Sequence, residues 1–203
     1  MGYGKSSRRH PMLVVVCGLP ATGKTTVSRA VAGRIDAAYL RIDTLEHALS
    51  GFAAGERPYE GVHRAVNYGL GYNVAYAVAG DLLRQGLHVF AECVNPMKIT
   101  REAWRDVAET TGAHLIEVEL MCSDPAEHER RATTRTVDIP GLVPPTWADI
   151  LAREYEPWDR THVVLDTAGT TIAALCEALG IDNRGPGTAV DNTRSRAYDG
   201  RPS

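Results

Sequence analysis

Residues 12–17, Met-Leu-Val-Val-Val-Cys, form an unbroken apolar run that stops at a glycine, the pattern of a strand buried on both faces. Shorter apolar runs at 37–42, 87–91, 114–121 and 162–165 predict four more strands. Helical periodicity fills the intervals: 25–33 with Gly33 near its end, 62–84 with Gly86 just past it, and 101–111 closed by Gly112. Further helices are expected at 124–135, at 147–155 and at 171–179, the last before Gly180. Strands alternating with helices imply right-handed crossovers. The expected fold is therefore α/β, in three layers: a five-stranded parallel sheet with helices on both faces. No internal repeat interrupts the order.

Two segments stand outside it. Residues 1–11 are a polar, basic arm, and residues 183–203 are rich in Gly, Pro, Asn, Asp and Arg with little to bury, which reads as a tail. One domain over 12–182 suits a chain of 203 residues. A formal charge of -3 argues against nucleic acid or an anionic membrane as a standing partner. No apolar run approaches the roughly 20 residues of a membrane helix, and the arm lacks the apolar segment of a secretory signal. A cytoplasmic location is the expectation. The four cysteines have no metal-type spacing and read as free thiols. Nothing in the pattern specifies an oligomeric state.

Between the first strand and its helix lies Gly18-Leu19-Pro20-Ala21-Thr22-Gly23-Lys24-Thr25, a full match to G-x-x-x-x-G-K-[ST], with Thr26 next. Glycines let the backbone turn so that successive N–H groups point at phosphate oxygens, and the helix adds its positive end. Lys24, one of three lysines in the chain, is placed for the β- and γ-phosphates, and the Thr25 hydroxyl for magnesium. A nucleoside triphosphate with Mg2+ is the expected ligand.

Carboxylates follow at strand ends, where ligands sit in a doubly wound sheet. Asp43 is the candidate base for an acceptor hydroxyl; with Glu46 three residues on, a helix capping box is the alternative. Glu92 is the candidate to hold a water on magnesium, or else a solvated strand-end acid. Asn95, Arg101 and Trp104 come next as acceptor-side candidates or surface and packing residues. Asp124-Pro125-Ala126-Glu127 has the composition of a helix start.

Arg131 and Arg135, four apart on a helical pattern, precede a proline-rich loop, and residues 128–146 read as a lid whose guanidinium groups neutralise transferring phosphate; an exposed basic helix face is the alternative. Tyr68, Tyr72 and Tyr76 recur every four residues, either as a core stripe or as the wall of a pocket for a ring-bearing, uncharged acceptor.

On the cradle, Asp43 and the late arginines, the chain resembles the P-loop kinases of small molecules: adenylylsulfate kinase, gluconate kinase, chloramphenicol phosphotransferase and polynucleotide 5'-kinase. The likeness covers about residues 12–180. It implies ATP with Mg2+, a strand-two aspartate as base, and arginines in a mobile lid. Asp43-Thr44-Leu45 is similar to the corresponding stretch of chloramphenicol phosphotransferases. Adenylylsulfate and polynucleotide kinases carry an arginine three residues after this aspartate, whereas this chain has Glu46, which would repel an anionic acceptor. Arg41, two residues before Asp43 and on the same face by strand alternation, is the compensating candidate. The expected activity is transfer of the γ-phosphoryl of ATP to a hydroxyl of a small metabolite or antibiotic, with Arg41, Tyr72, Asn95 and Arg101 on the acceptor side. A nucleic-acid end kinase, a sugar-nucleotide kinase or a non-catalytic nucleotide switch are the alternatives. No Asn-Lys-x-Asp guanine motif is present, and ATP rather than GTP is what the resemblance implies.

Overall fold

A computed structural model describes residues 10–53, 69–169 and 177. Strand β1 (Met12–Cys17) occupies the centre of the sheet, and its side chains from Leu13 onward are buried on both faces, as its apolar run requires. Helix α1 (Lys24–Ala32) leads to β2 (Ala38–Arg41), and α2 (Ile42–Ala53) follows without a break. Then come α3 (Leu70–Arg84), β3 (Val89–Glu92), α4 (Lys98–Thr111), β4 (His114–Met121), α5 (Pro125–Thr134), α6 (Trp147–Leu151) and β5 (Val163–Asp166). The five strands are all parallel, in the order β2-β3-β1-β4-β5. The order reverses between β1 and β3, and that is where the first loop opens.

Alternation along β1 divides the core. Leu13, Val15 and Cys17 pack under α3 and α4 with Ala79, Leu83 and Trp104, while Val14 and Val16 face α1 through Val27 and Val31. Tyr72 and Tyr76 join the first of these clusters; Tyr76 meets Trp104 edge-on at 4.7 Å. The core-facing reading of the tyrosine stripe is the one these two positions follow. Tyr68, the expected helix at 171–179, the tail and most of the arm lie outside the described residues.

Three of the helices differ from the sequence reading where they border the site. α2 is absent from the expected elements because Ile42 extends the apolar run of β2, yet Ile42 is a buried first residue of a helix that packs Leu45 against the core. α4 starts at Lys98 rather than 101. α6 ends at Leu151 because the chain beyond it is held in an extended path: Glu156 N–H donates to Pro96 O at 2.8 Å, and Trp158 stacks on His162 with centroids 3.9 Å apart. Asp124 caps α5 through Ala126 and Glu127 N–H groups, at 3.0 and 3.2 Å, as its sequence suggests. No described helix is long and apolar enough to cross a membrane.

Candidate functional site

The cradle is built by backbone conformation. Gly18 (φ 133°), Ala21 (φ 66°) and Gly23 (φ 93°) take positive φ in turn, which curls the backbone of residues 18–25 into a tight turn of the kind that presents N–H groups to phosphate. Gly18 leaves the sheet beside β3 and β4: its N–H donates to Val94 O at 3.2 Å, and a Cβ there would stand 2.2 Å from Leu120 O. Leu19, Pro20 and Thr22 complete the turn, with the Thr22 hydroxyl donating to Leu19 O at 2.9 Å. His128, buried in α5, holds Pro20 O through Nε2 at 2.8 Å and meets Trp147 edge-on. The sequence reading had no role for it.

Helix α1 begins at Lys24 under a glycine cap with no side-chain hydrogen bond and no acid in its first turn, so its positive end faces the cradle undiminished. Lys24 is buried and donates to Leu19 O at 2.7 Å. Burial pushes its ammonium below the ordinary lysine value, opposed by the charges of Glu92 and Asp43. Thr26 is exposed on the same first turn.

Beneath the cradle, the Thr25 hydroxyl donates to Glu92 Oε1 at 2.6 Å, and Glu92 is only 3% exposed. Its other oxygen accepts from the Tyr39 hydroxyl. Burial, and then the Glu92 charge, push the Tyr39 phenol well above the usual range, so Tyr39 remains a donor that fixes the carboxylate. Among the described residues no group of three or more His, Cys, Asp and Glu forms a metal cage. The oxygens of Thr25 and Glu92 beside a phosphate cradle do fit Mg2+, which keeps most of its waters and takes one or two protein oxygens.

Asp43 lies in the first turn of α2, not on the strand, and stands 3.8 Å from Arg41 Nη2. It acts electrostatically on Lys24 and on Arg135, which follows the last residue of α5. The charge of Asp43 is thus felt at two other expected residues, Lys24 and Arg135. Arg131 does not join them. Its guanidinium is tied to Glu127 Oε1 at 2.7 Å and to the Thr167 hydroxyl and carbonyl, each at 2.9 Å, clamping the end of β5 beside Gly23. Arg135 caps α5 and its N–H donates to Arg131 O at 3.1 Å, so the two arginines stand one turn apart at the helix end, as expected, with different side-chain partners.

Arg101 is the clearest departure. It is 1% exposed, and all three of its nitrogens donate to backbone carbonyls: Asn95, Pro96 and Pro157 at 3.1 Å and Glu156 at 2.6 Å. It also lies over the Tyr155 and Trp158 rings. It fastens the loop before α4 to the segment before β5, with four of its five N–H donors spent on backbone carbonyls. Tyr72 accepts the Asn95 N–H at 2.9 Å and shapes the same loop. Asn95 itself has φ 55°, is fully buried, and its side-chain amide has no partner among the described residues.

Comparison with known proteins agrees with this picture. Residues 13–143 match the AAA_33 model, described as an AAA domain. No curated protein matches the chain. Among solved structures, the APS kinase of Mycobacterium tuberculosis in complex with AMPPNP and APS is 20% identical with a TM-score of 0.60, covering 84% of this chain and 95% of that one. A gluconokinase from Sinorhizobium meliloti 1021 is 20% identical with a TM-score of 0.54, over 84% and 90%. A sugar kinase from Janibacter sp. HTCC2649 is 16% identical with a TM-score of 0.58, over 84% and 95%. At these identities the likeness is one of fold: the five-stranded α/β fold of P-loop small-molecule kinases.

Proposed function

The chain belongs to the AAA_33 family, and from that premise we propose that it is an ATP-dependent phosphotransferase moving the γ-phosphoryl to a hydroxyl of a small molecule. The observation that carries this reading is the cradle itself, with Asp43 at the corner between β2 and α2 as a carboxylate whose charge reaches both Lys24 and Arg135. A cradle alone serves binding or switching. A carboxylate and a second cation facing it supply what transfer to a hydroxyl needs.

Each group then has one task. The N–H groups of residues 21–25 bind the phosphate chain. Lys24, freed from Leu19 O, reaches the β- and γ-phosphates. Thr25, with Glu92 behind it, would hold magnesium, which when bound would supply charge neutralisation on the phosphate oxygens. Asp43 accepts the acceptor's hydroxyl proton as the new O–P bond forms and the bond to ADP breaks. Arg135 offsets charge on the transferring group. The buried Asn95 amide offers the acceptor one donor and one acceptor atom.

The test is a screen of small hydroxylated molecules for ADP release, followed by calorimetry on variants. Lys24→Ala is expected to abolish ATP binding. Asp43→Asn is expected to bind ATP as the native protein does and lose about 10²–10⁴-fold in transfer. Transfer at the native rate by Asp43→Asn would remove the base.

A further inference from the structure

One cluster beside the cleft has no part in that chemistry. Asp138, in the loop after α5, bridges two arginines: Oδ1 lies 2.7 Å from Arg41 Nη1, and Oδ2 pairs with Arg29 on α1. The same loop rests on α2, where Pro140 O lies 2.8 Å from His47 Nε2. A carboxylate thus draws the 135–146 loop down onto β2.

The three partners are unequal. The Arg41 side chain is 10% exposed, whereas those of Arg29 and Asp138 are 53% and 43% exposed. Arg41 Nε is buried with no partner among the described residues. Glu92, its register neighbour on β3, accepts hydrogen bonds from Thr25 and Tyr39, and Asp43 stands 3.8 Å off. The fixed, buried guanidinium is costly to leave bare, while the exposed carboxylate regains hydration when it departs. Arg41 therefore requires an anion, but not that particular one. Beside it opens a cavity of about 420 Å³, lined by Arg29, Tyr39, Leu40, Arg41, Thr44 and Ile139.

We propose that Arg29 and Arg41 form an oxyanion site, separate from the cradle, which Asp138 fills in cis until a phosphate, sulfate or carboxylate displaces it. Planar guanidinium forks match such groups with paired hydrogen bonds. Displacement removes one hold on the 135–146 loop, so anion binding and release of that loop are a single event. The site stands apart from the phosphotransferase reading, and only its use by an acceptor rests on that reading. Such an acceptor would carry its anionic group a few bonds from the hydroxyl at Asp43.

The experiment titrates sodium sulfate, at constant ionic strength, into full-length protein whose cradle is saturated with Mg2+ and AMPPNP. Asp138→Asn is expected to bind sulfate about tenfold more tightly than the native chain, since the internal competitor is gone. Arg41→Gln in that background is expected to abolish binding, and Arg29→Gln, at an exposed position, to weaken it severalfold with an unchanged melting temperature. Equal affinity in the native and Asp138→Asn proteins, or binding that survives both arginine replacements, would overturn the proposal. In turnover assays, competition between sulfate and the acceptor identifies the anion as the acceptor's own, and non-competitive behaviour identifies a free oxyanion effector. Sulfate binding is read without turnover, so either proposal can fail while the other stands.

Discussion

Replacing Arg101 by alanine should unfold the protein's hinge of loops rather than weaken recognition of an acceptor. Four carbonyls, those of Asn95, Pro96, Glu156 and Pro157, lose their only side-chain donor, and the Trp158 ring loses a guanidinium 4.4 Å from its centre. A hydrogen bond from a charged donor contributes about 1.5–3 kcal/mol, and a partly buried cation–π contact about 1 kcal/mol. The truncated site admits water to some of these carbonyls, so the sum is an upper bound. About 3–5 kcal/mol is the expected loss. For a domain of this size that lowers Tm by roughly 6–20 °C. Calorimetry and urea unfolding without nucleotide, where no ligand adds to stability, measure it. Arg101→Lys, which keeps the charge but not the planar fork, should recover less than half of the loss. A Tm within about 2 °C of native, accompanied by a raised KM for the acceptor, would refute the argument and return Arg101 to the acceptor pocket.

Two smaller predictions concern the cradle and the core. Gly18→Ala forces a Cβ to within 2.2 Å of Leu120 O at φ 133°, whereas at Gly23 the nearest atom is 3.8 Å away. Unfolding should therefore show a loss of about 2–4 kcal/mol at Gly18, against about 1–2 kcal/mol of backbone strain at Gly23; equal losses would mean the close approach is relieved. Burial pushes the Cys17 thiol up to about 12 and that of Cys93 well above its usual value, so neither supplies thiolate at pH 8. Iodoacetamide labelling with peptide mapping should modify the half-buried Cys122 first and reach Cys17 and Cys93 only in denaturant. Labelling of Cys93 at the rate of Cys122 would contradict the packing beneath β3.

The first strand, the cradle and α1 were legible because their signals are local: an apolar run, a fixed spacing, and a helix that starts inside the motif. Sheet order was not, since it depends on which faces each helix covers. α2 escaped notice because Ile42 and Leu45 satisfy a strand's ending as well as a helix's beginning, although Asp43 and Glu46 already had the spacing of a helix start. Arg41 and Asp43 were expected to share a face by strand alternation. They do lie within 3.8 Å, but across a strand-to-helix corner. Tyr39 was invisible because its partner, Glu92, is 53 residues away.

Arginine is where sequence patterning says least, and partner saturation supplies the missing criterion. Arg101 meets four carbonyls, Arg131 is shared among Glu127 and Thr167, and Arg160 forks onto Glu117 at 2.8 and 2.7 Å while also pairing with Glu102. Arginines with every nitrogen engaged by the protein itself are held in place by it, and their removal is first a matter of stability. Arg41 and Arg135 differ in kind. Each keeps a buried Nε without a partner among the described residues, and each senses the charge of Asp43. Two guanidinium groups in mutual repulsion, half-buried and incompletely bonded, hold that arrangement at a cost that an arriving anion offsets. The distinction between arginines that build this molecule and arginines that await a ligand therefore rests on their unmatched donors, and Arg101→Ala and Arg41→Gln, compared for lost stability against lost sulfate binding, separate the two.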